Sequence, residues 1–156
     1  MAKILVVDDH PINRQFLVKL LGYVNHTVTE AADGRVALAM VQADRPDLVI
    51  TDIVMPNMDG PTFIKEMRSK AGLADIPVIF YTASYRVPDA KHLADECGVS
   101  QIMHKPAKPE DVLDAVNVAL TRLLRLELLD GNWRDRTSLA PLTESTFASW
   151  LWRAFE

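Results

Sequence analysis

The sequence has little that would tie the chain to a membrane, a disulfide framework or a polyanion. Its single cysteine, Cys97, excludes an internal disulfide and any multi-cysteine metal site within the chain. No apolar run approaches the roughly 20 residues that cross a bilayer, and the N-terminus lacks the layout of a signal peptide. The formal net charge of -4 gives no support to binding of nucleic acid or an anionic membrane surface. We therefore expect a cytoplasmic protein whose partners are other proteins.

The length and composition are those of ordinary globular material. The chain has 156 residues, of which 49% are hydrophobic and 24% are charged. A chain of this size usually forms one domain with a real core and has room for a short appendage. These totals narrow the class of protein without indicating a function.

Strand-like and helix-like segments alternate along most of the chain. Apolar runs such as residues 4–7 are typical of strands buried on both faces. Five repeats of strand and helix predict a doubly wound α/β fold, in which a five-stranded parallel sheet is covered by five helices and the last helix is extended. The predicted strands are residues 4–7, 27–30, 48–51, 77–81 and 101–103, and the helices begin near residues 11, 34, 61, 88 and 109.

Helical spacing also predicts which residues face the sheet. Gly22 is expected to end the first helix. The side chains expected on the inner faces of the first three helices are Phe16, Leu17, Leu20, Leu21, Val36, Ala37, Met40, Val41, Phe63, Ile64 and Met67.

Polar residues follow the predicted strands at the points where the strands end. Asp8 and Asp9 follow the first strand, Asp52 ends the third, Thr82 ends the fourth and Lys105 follows the fifth. Because the carboxyl ends of parallel strands meet at one edge of a sheet, these side chains should converge. Clustered carboxylates repel one another, so they indicate a hard divalent cation such as Mg²⁺. With the lysine and the hydroxyl they describe a site for a transferring phosphoryl group, with Asp52 as nucleophile.

Short motifs around these residues match one family. The matching pairs are Asp8-Asp9, Met55-Pro56, Asp59-Gly60, Thr82-Ala83 and Lys105-Pro106. Together they resemble the response-regulator receiver domain of two-component signalling, which has a flavodoxin-like fold, over about residues 2 to 122. The run from Val7 to Arg14 is similar to receivers found in hybrid sensor kinases.

The resemblance implies a chemistry for the acidic residues. Asp52 would accept a phosphoryl group from a phosphohistidine on a histidine kinase or phosphotransfer protein. Asp9, Asp52 and the backbone carbonyl of Val54 would bind Mg²⁺ directly, and Asp8 would act mostly through water. His10 is interpreted as a neighbour of the pocket, since Mg²⁺ favours oxygen ligands.

The resemblance also implies a switch. Lys105 would bridge to the phosphoryl oxygens, and Thr82 would swing toward them, altering the surface of the fourth helix, fifth strand and fifth helix. Receivers usually carry an aromatic residue three positions before the lysine, whereas this chain has Ile102. Either the coupling is altered, with Tyr81 or Tyr85 taking over, or the isoleucine is a conservative core replacement.

The segment after the predicted receiver is harder to interpret. We assign residues 1–122 to the receiver and residues 123–156 to a helical extension and tail of unknown role. Apolar residues in the last helix alternate spacings of four and three, which predicts a homodimer seam, a connection to a signalling partner domain, or packing on the sheet. The seam residues are Val112, Val116, Ala119, Leu123 and Leu126, and the tail carries Trp133, Trp150 and Trp152. Its balanced charge does not resemble a DNA-binding module.

Two other functions remain as alternatives. A phosphate-free binding module would need a broken pocket, whereas every acidic and polar member is present here. A phosphatase using acyl-phosphate chemistry would need a general acid beyond the nucleophile, where this chain has Val54. We therefore predict a regulatory switch that catalyses only its own phosphorylation and slow dephosphorylation.

Overall fold

The structure is a computed structural model that describes residues 1–83, 86–99 and 101–129. The chain divides into a unit of Met1–Leu123 and a unit of Leu124–Glu156, of which only the end of the last helix is described. Within the described ranges, no helix combines the length and the apolar character needed to cross a membrane.

In the part of the chain that the structure describes, five parallel strands form a single sheet. Their order is β2-β1-β3-β4-β5, so the chain winds outward from β1 in one direction and then, beginning with β3, in the other. This order puts the reversal of winding between β1 and β3, which is where open parallel sheets leave a crevice at their carboxyl edge. The strands are β1 (Lys3–Val7), β2 (Thr27–Ala31), β3 (Leu48–Thr51), β4 (Val78–Thr82) and β5 (Gln101–His104).

Among the described residues, five helices connect and follow the strands. Asp33 and Asp59 accept hydrogen bonds from backbone N–H groups at the starts of the second and third helices, as helix-capping residues do. Gly98, at φ 66°, ends the fourth helix in the left-handed conformation that glycine adopts readily. The helices are α1 (Pro11–Tyr23), α2 (Gly34–Ala43), α3 (Gly60–Arg68), α4 (Val87–Cys97) and α5 (Pro109–Leu129).

The two faces of the sheet bury separate cores. Successive residues of a strand point to opposite faces, so Leu5 and Val7 pack on one side and Ile4 and Val6 on the other. We call the first the α3-side core, since it includes buried residues of α2, α3 and α4. The second is the α5-side core, to which α1 and α5 contribute. This double coverage explains why β1, β3 and β4 are apolar over most of their length, whereas β2, at the edge of the sheet, carries exposed polar residues.

The predicted fold is confirmed, with small differences at element ends. Gly22 lies inside α1, which continues to Tyr23, so the predicted stop at Gly22 was wrong. Val36 is 45% exposed and does not share the inner face of α2, while Ala37 and Val41 are buried. The reason is geometric: a helix turns by about 100° per residue, so the residue before Ala37 lies on the flank.

The last helix packs against its own domain over its first three turns. Val112, Val116 and Ala119 are buried in the α5-side core, which is the packing alternative for these three seam residues. The side chains of Leu123 and Leu126 lie outside the described residues, as do the three tryptophans. The predicted homodimer through the last helix therefore remains a prediction.

Candidate phosphoryl-acceptor site

The ends of the strands bring the polar residues to one edge of the sheet. Val7 and Thr51 are register partners on β1 and β3, and Asp52 N donates to the Val7 carbonyl over 2.9 Å. Asp8 and Asp52, which follow these partners, are therefore neighbours across the two strands. On the other side, Lys105 N donates to the Thr82 carbonyl over 2.9 Å. These backbone hydrogen bonds fix the backbone positions of the four site residues, which are Asp8, Asp52, Thr82 and Lys105.

Asp52 is a buried carboxylate with two different partners. Its side chain is 8% exposed. Oδ1 accepts a hydrogen bond from the backbone N–H of Ile53 over 2.7 Å, and Oδ2 accepts one from Lys105 Nζ over 2.8 Å. These contacts hold one oxygen against the backbone and the other against a cation. The carboxylate is thereby held in one orientation, as a nucleophile requires.

Lys105 serves two buried carboxylates at once. Its ammonium donates to Asp8 Oδ2 as well as to Asp52 Oδ2, and the Asp8 side chain is only 2% exposed. Burial by itself would lower the pKa of Lys105, but the hydrogen bonds and charges of Asp52 and Asp8 outweigh burial and raise the pKa. The lysine is therefore charged at neutral pH and offsets the repulsion between the two aspartates.

Asp9 supplies an oxygen suited to a metal ion. Among the described residues, Asp9 Oδ1 is buried without a hydrogen-bond partner. His10 Nδ1 lies 3.1 Å from it but not in hydrogen-bonding geometry. One ligand atom each of Asp8, Asp9 and His10 lies within 4.8 Å of the others. A buried carboxylate oxygen beside a second carboxylate is costly without a cation, so the donor set fits Mg²⁺.

The remaining predicted site residues lie near this pocket. Val54 is 50% exposed in the loop between Asp52 and α3. Thr82 is fully buried at the end of β4, opposite His104 of β5. The next residue but one, Ser84, and its neighbour Tyr85 lie outside the described residues. The roles assigned to Val54 and Thr82 remain predictions.

Arg14 is a residue that the strand-end reasoning missed. From α1 its Nη1 donates to the backbone carbonyl of Asp8 over 2.6 Å, and its Nε lies 3.3 Å from Glu30 of β2. The arginine thus ties the loop that carries both Asp8 and Asp9 to the neighbouring strand. In the sequence, the only signal was its place in the run from Val7 to Arg14.

Hydrogen bonds and close packing fix the position of the loop that follows Asp52. Gly60 donates to the Ile53 carbonyl over 2.8 Å, and a Cβ at Gly60 would lie 2.1 Å from the Asp52 carbonyl oxygen. Asp33 accepts from Asn57 Nδ2 over 2.9 Å. The hydrogen bonds from Val36 N and from Asn57 hold the pKa of Asp33 below its ordinary value. The cap of α2 therefore also anchors the loop that begins at the candidate nucleophile.

Fold and site define a doubly wound α/β domain with an acidic, lysine-bridged pocket, and the chain is similar to known proteins over most of its length. The profile described as the response regulator receiver domain matches residues 4–117. PilH of Pseudomonas aeruginosa is 32% identical over 120 residues, which are 77% of this chain and 98% of PilH. Sensor histidine kinase RcsC of Escherichia coli K12 is 38% identical over 118 residues, covering 76% of this chain and 12% of RcsC.

Solved structures agree with these sequence relatives. A chemotaxis response regulator of Vibrio cholerae matches with a TM-score of 0.72 and 34% identity, covering 77% of this chain and 99% of that one. The receiver domain of a signal transduction histidine kinase from Syntrophus aciditrophicus matches with a TM-score of 0.72 and 27% identity, covering 92% and 100%. Other curated relatives are longer: this chain spans 48% to 51% of three of them, including response regulator MprA of Mycolicibacterium vanbaalenii.

The chain belongs to the response regulator receiver domain family. It is a phosphoacceptor switch of two-component signalling, and its class is regulatory. Receiver domains bind Mg²⁺ at an acidic aspartate cluster and accept phosphoryl groups from histidine kinases or phosphotransfer proteins.

Proposed function

We propose that this chain accepts a phosphoryl group on Asp52 from a phosphohistidine of a histidine kinase or phosphotransfer protein. One observation carries the proposal: the buried carboxylate of Asp52 shares the Lys105 ammonium with Asp8 at the reversal point of the sheet. Asp52 directly follows the central strand β3, and hydrogen bonds hold both of its carboxylate oxygens. That preorganisation is what an oxygen nucleophile needs.

The transfer would proceed by attack of an Asp52 carboxylate oxygen on phosphorus. An O–P bond forms, the N–P bond of the phosphohistidine breaks, and its electron pair stays on the imidazole nitrogen, which takes up a proton. Lys105 would turn from the carboxylates toward the phosphoryl oxygens and offset their charge. Bound by Asp9, Asp52 and the Val54 carbonyl, with Asp8 acting through water, Mg²⁺ would neutralise further charge on the phosphoryl oxygens.

Phosphorylation would then change the conformation through new contacts. An acyl phosphate carries nearly two negative charges, about one more than the carboxylate that it replaces, and it offers strong acceptor oxygens. The Thr82 hydroxyl would donate to one of these oxygens, and this energy exists only in the phosphorylated state. It would bias the surface formed by α4, β5 and α5 toward the form that controls a protein partner or output domain.

A switch fits the pocket better than a turnover enzyme does. Val54, two residues after Asp52, is apolar and half exposed, where a phosphatase would need a general acid. The domain would therefore catalyse its own phosphorylation and only slow dephosphorylation. We expect an acyl phosphate half-life in Mg²⁺ far longer than an enzyme turnover time. Rapid hydrolysis of small phosphate esters would contradict the regulatory assignment.

The assignment of Asp52 is tested with a small phosphodonor. Wild-type protein incubated with acetyl phosphate and Mg²⁺ should gain the mass of one phosphoryl group, and EDTA should prevent the gain. Asp52→Asn should gain none. Asp47→Asn is the matched control, since Asp47 precedes the same strand at the opposite edge of the sheet and should leave labelling unchanged. Undiminished labelling of Asp52→Asn would overturn the assignment.

The division of the chain into a receiver of residues 1–122 and a tail of residues 123–156 belongs to the same proposal. It is supported by the match to residues 4–117 and by the compact unit that ends at Leu123. A homodimer through the last helix would have to use residues other than Val112, Val116 and Ala119, because the domain's own core buries them. The cytoplasmic location and the lack of nucleic-acid or membrane binding remain predictions.

A further inference from the structure

Tyr81 lies next to Thr82, the candidate switch residue, and its ring lies near the Lys105 ammonium of the candidate site. It precedes Thr82 on β4, is 5% exposed and belongs to the α5-side core. Its ring centroid lies 5.4 Å from Lys105 Nζ, within the range of a cation–π contact. Its hydroxyl oxygen accepts a hydrogen bond from the backbone N–H of Ala107 over 3.4 Å. One side chain therefore touches both the ammonium and the loop that leads into α5.

These two contacts act on different parts of the same segment. Lys105 and Ala107 belong to the connection between β5 and α5, and the chain between them is one residue long. The aromatic face restricts where the ammonium can lie, because the ring attracts the positive charge. The hydroxyl restricts the start of the loop. A shift of Lys105 toward phosphoryl oxygens would weaken the ring contact and release Tyr81 to move relative to Ala107.

The residue at position 102 cannot make these contacts. Ile102 pairs with Phe80 in the register of β4 and β5, and it packs against the α3-side core. Tyr81 pairs with Met103 and lies on the other face of the sheet. Isoleucine also has no ring and is stiff at χ1. The aromatic contact with the pocket lysine is thus supplied from β4, on the α5 side of the sheet.

We propose that Tyr81 is a positioning residue for Lys105 and transmits the movement of Lys105 to the start of α5 through Ala107. The proposal rests on the proposed function of Asp52. The Tyr81 ring holds the Lys105 ammonium between Asp8 and Asp52 before phosphorylation, and the Tyr81 hydroxyl couples that ammonium to the α5 side of the domain.

Two variants of the full chain separate the ring from the hydroxyl. Tyr81→Phe keeps the ring and loses the hydrogen bond to Ala107, whereas Tyr81→Leu loses both. The probe is beryllofluoride with Mg²⁺, a stable mimic of the phosphoryl group. Binding is followed by two-dimensional NMR, reading the amide of Ala107 and the side-chain signals of Lys105. Phe80→Leu is the control for loss of a buried ring, since Phe80 faces the other core.

We expect the wild type to bind the probe and to shift the Ala107 amide signal. Tyr81→Phe should bind within about twofold of the wild type but lose most of the Ala107 shift. Tyr81→Leu should bind about tenfold more weakly, and its Lys105 signals should move even without the probe, because the ring current is gone. Phe80→Leu should change neither the affinity nor the Lys105 signals.

The outcomes separate this proposal from the one on which it rests. If Tyr81→Leu binds as tightly as the wild type and its Lys105 signals are unchanged, Tyr81 does not position the lysine. If Tyr81→Phe keeps the full Ala107 shift, the hydroxyl does not transmit the movement. If the wild type itself does not bind beryllofluoride, the proposed function fails first and the role of Tyr81 fails with it.

Discussion

Replacing Lys105 with methionine removes the cation that Asp8 and Asp52 share and keeps most of the side-chain volume. The two carboxylates would then face each other in a buried pocket without the ammonium that now contacts both. Asp9, whose Oδ1 has no hydrogen-bond partner among the described residues, adds a third negative charge nearby. The folded state should lose stability, since water solvates these carboxylates in the unfolded chain.

The size of the loss follows from the geometry. At the Lys105–Asp52 separation of 2.8 Å, an effective dielectric constant of about 20 gives an attraction of roughly 6 kcal/mol before desolvation is counted. Removing one partner of a buried ion pair costs about 3 to 5 kcal/mol in practice, because the uncompensated charge stays buried. We therefore expect Lys105→Met to lower the free energy of unfolding by about 3 to 5 kcal/mol at neutral pH in EDTA.

Urea unfolding followed by far-ultraviolet circular dichroism measures this loss. With a slope of about 2 kcal/mol per molar urea, the midpoint should fall by roughly 2 M. Mg²⁺ should recover part of the loss, since a bound cation replaces the missing charge. Lys108→Met is the control, because Lys108 is exposed and should change stability by less than about 0.5 kcal/mol. Equal stability of Lys105→Met and wild type in EDTA would refute the charge-sharing account.

Three further predictions concern the stability effects of Gly60, Gly22 and Asp33. Gly60→Ala should destabilise the domain by about 3 kcal/mol or more, since its Cβ would lie 2.1 Å from the Asp52 carbonyl oxygen. Gly22→Ala should instead stabilise it by about 0.5 to 1 kcal/mol, because nothing lies within 4 Å of that Cβ and glycine is a poor helix former; urea unfolding of both variants checks the opposite signs. Asp33→Ala should cost about 1 kcal/mol at neutral pH by removing the cap of α2. The folded-state pKa of Asp33 lies below its ordinary value of 3.8, so this stabilisation is present above that value and is lost as the pH falls through the folded-state pKa. Unfolding measured from neutral to acidic pH should show the difference between Asp33→Ala and wild type shrinking below about pH 4, and a difference independent of pH would contradict it.

Most of the fold could be predicted because its signals are local. β3 was predicted with the observed ends, and the other strands within one residue at each end, since buried parallel strands are continuous apolar runs. The exceptions were Gly22 and Val36. A glycine near a helix end can be its last turn or its stop, and a valine beside a buried alanine can lie on either flank. Tertiary packing decides both where the helix ends and which flank the valine occupies, and the periodicity of apolar residues does not predict either.

The residues that support the pocket were harder to predict from the sequence than the residues that form it. Asp8, Asp9, Asp52, Thr82 and Lys105 could be found because each stands at the end of a strand. Other residues act through hydrogen bonds and close packing that leave no spacing pattern in the sequence. Those residues are Arg14, which bonds the Asp8 carbonyl, Asn57, which bonds Asp33, and Gly60, which packs against the Asp52 carbonyl.

The sequence by itself determined the class of fold and the edge of the sheet at which the polar residues gather. Both follow from the order of apolar runs and from the rule that parallel strands end together. Only the tertiary structure decided how the charges are shared, with one lysine bridging Asp8 and Asp52 while its ammonium lies within cation–π distance of the Tyr81 ring. Side-chain partners separated by tens of residues depend on strand register and loop path, which pairwise packing sets and local sequence does not encode.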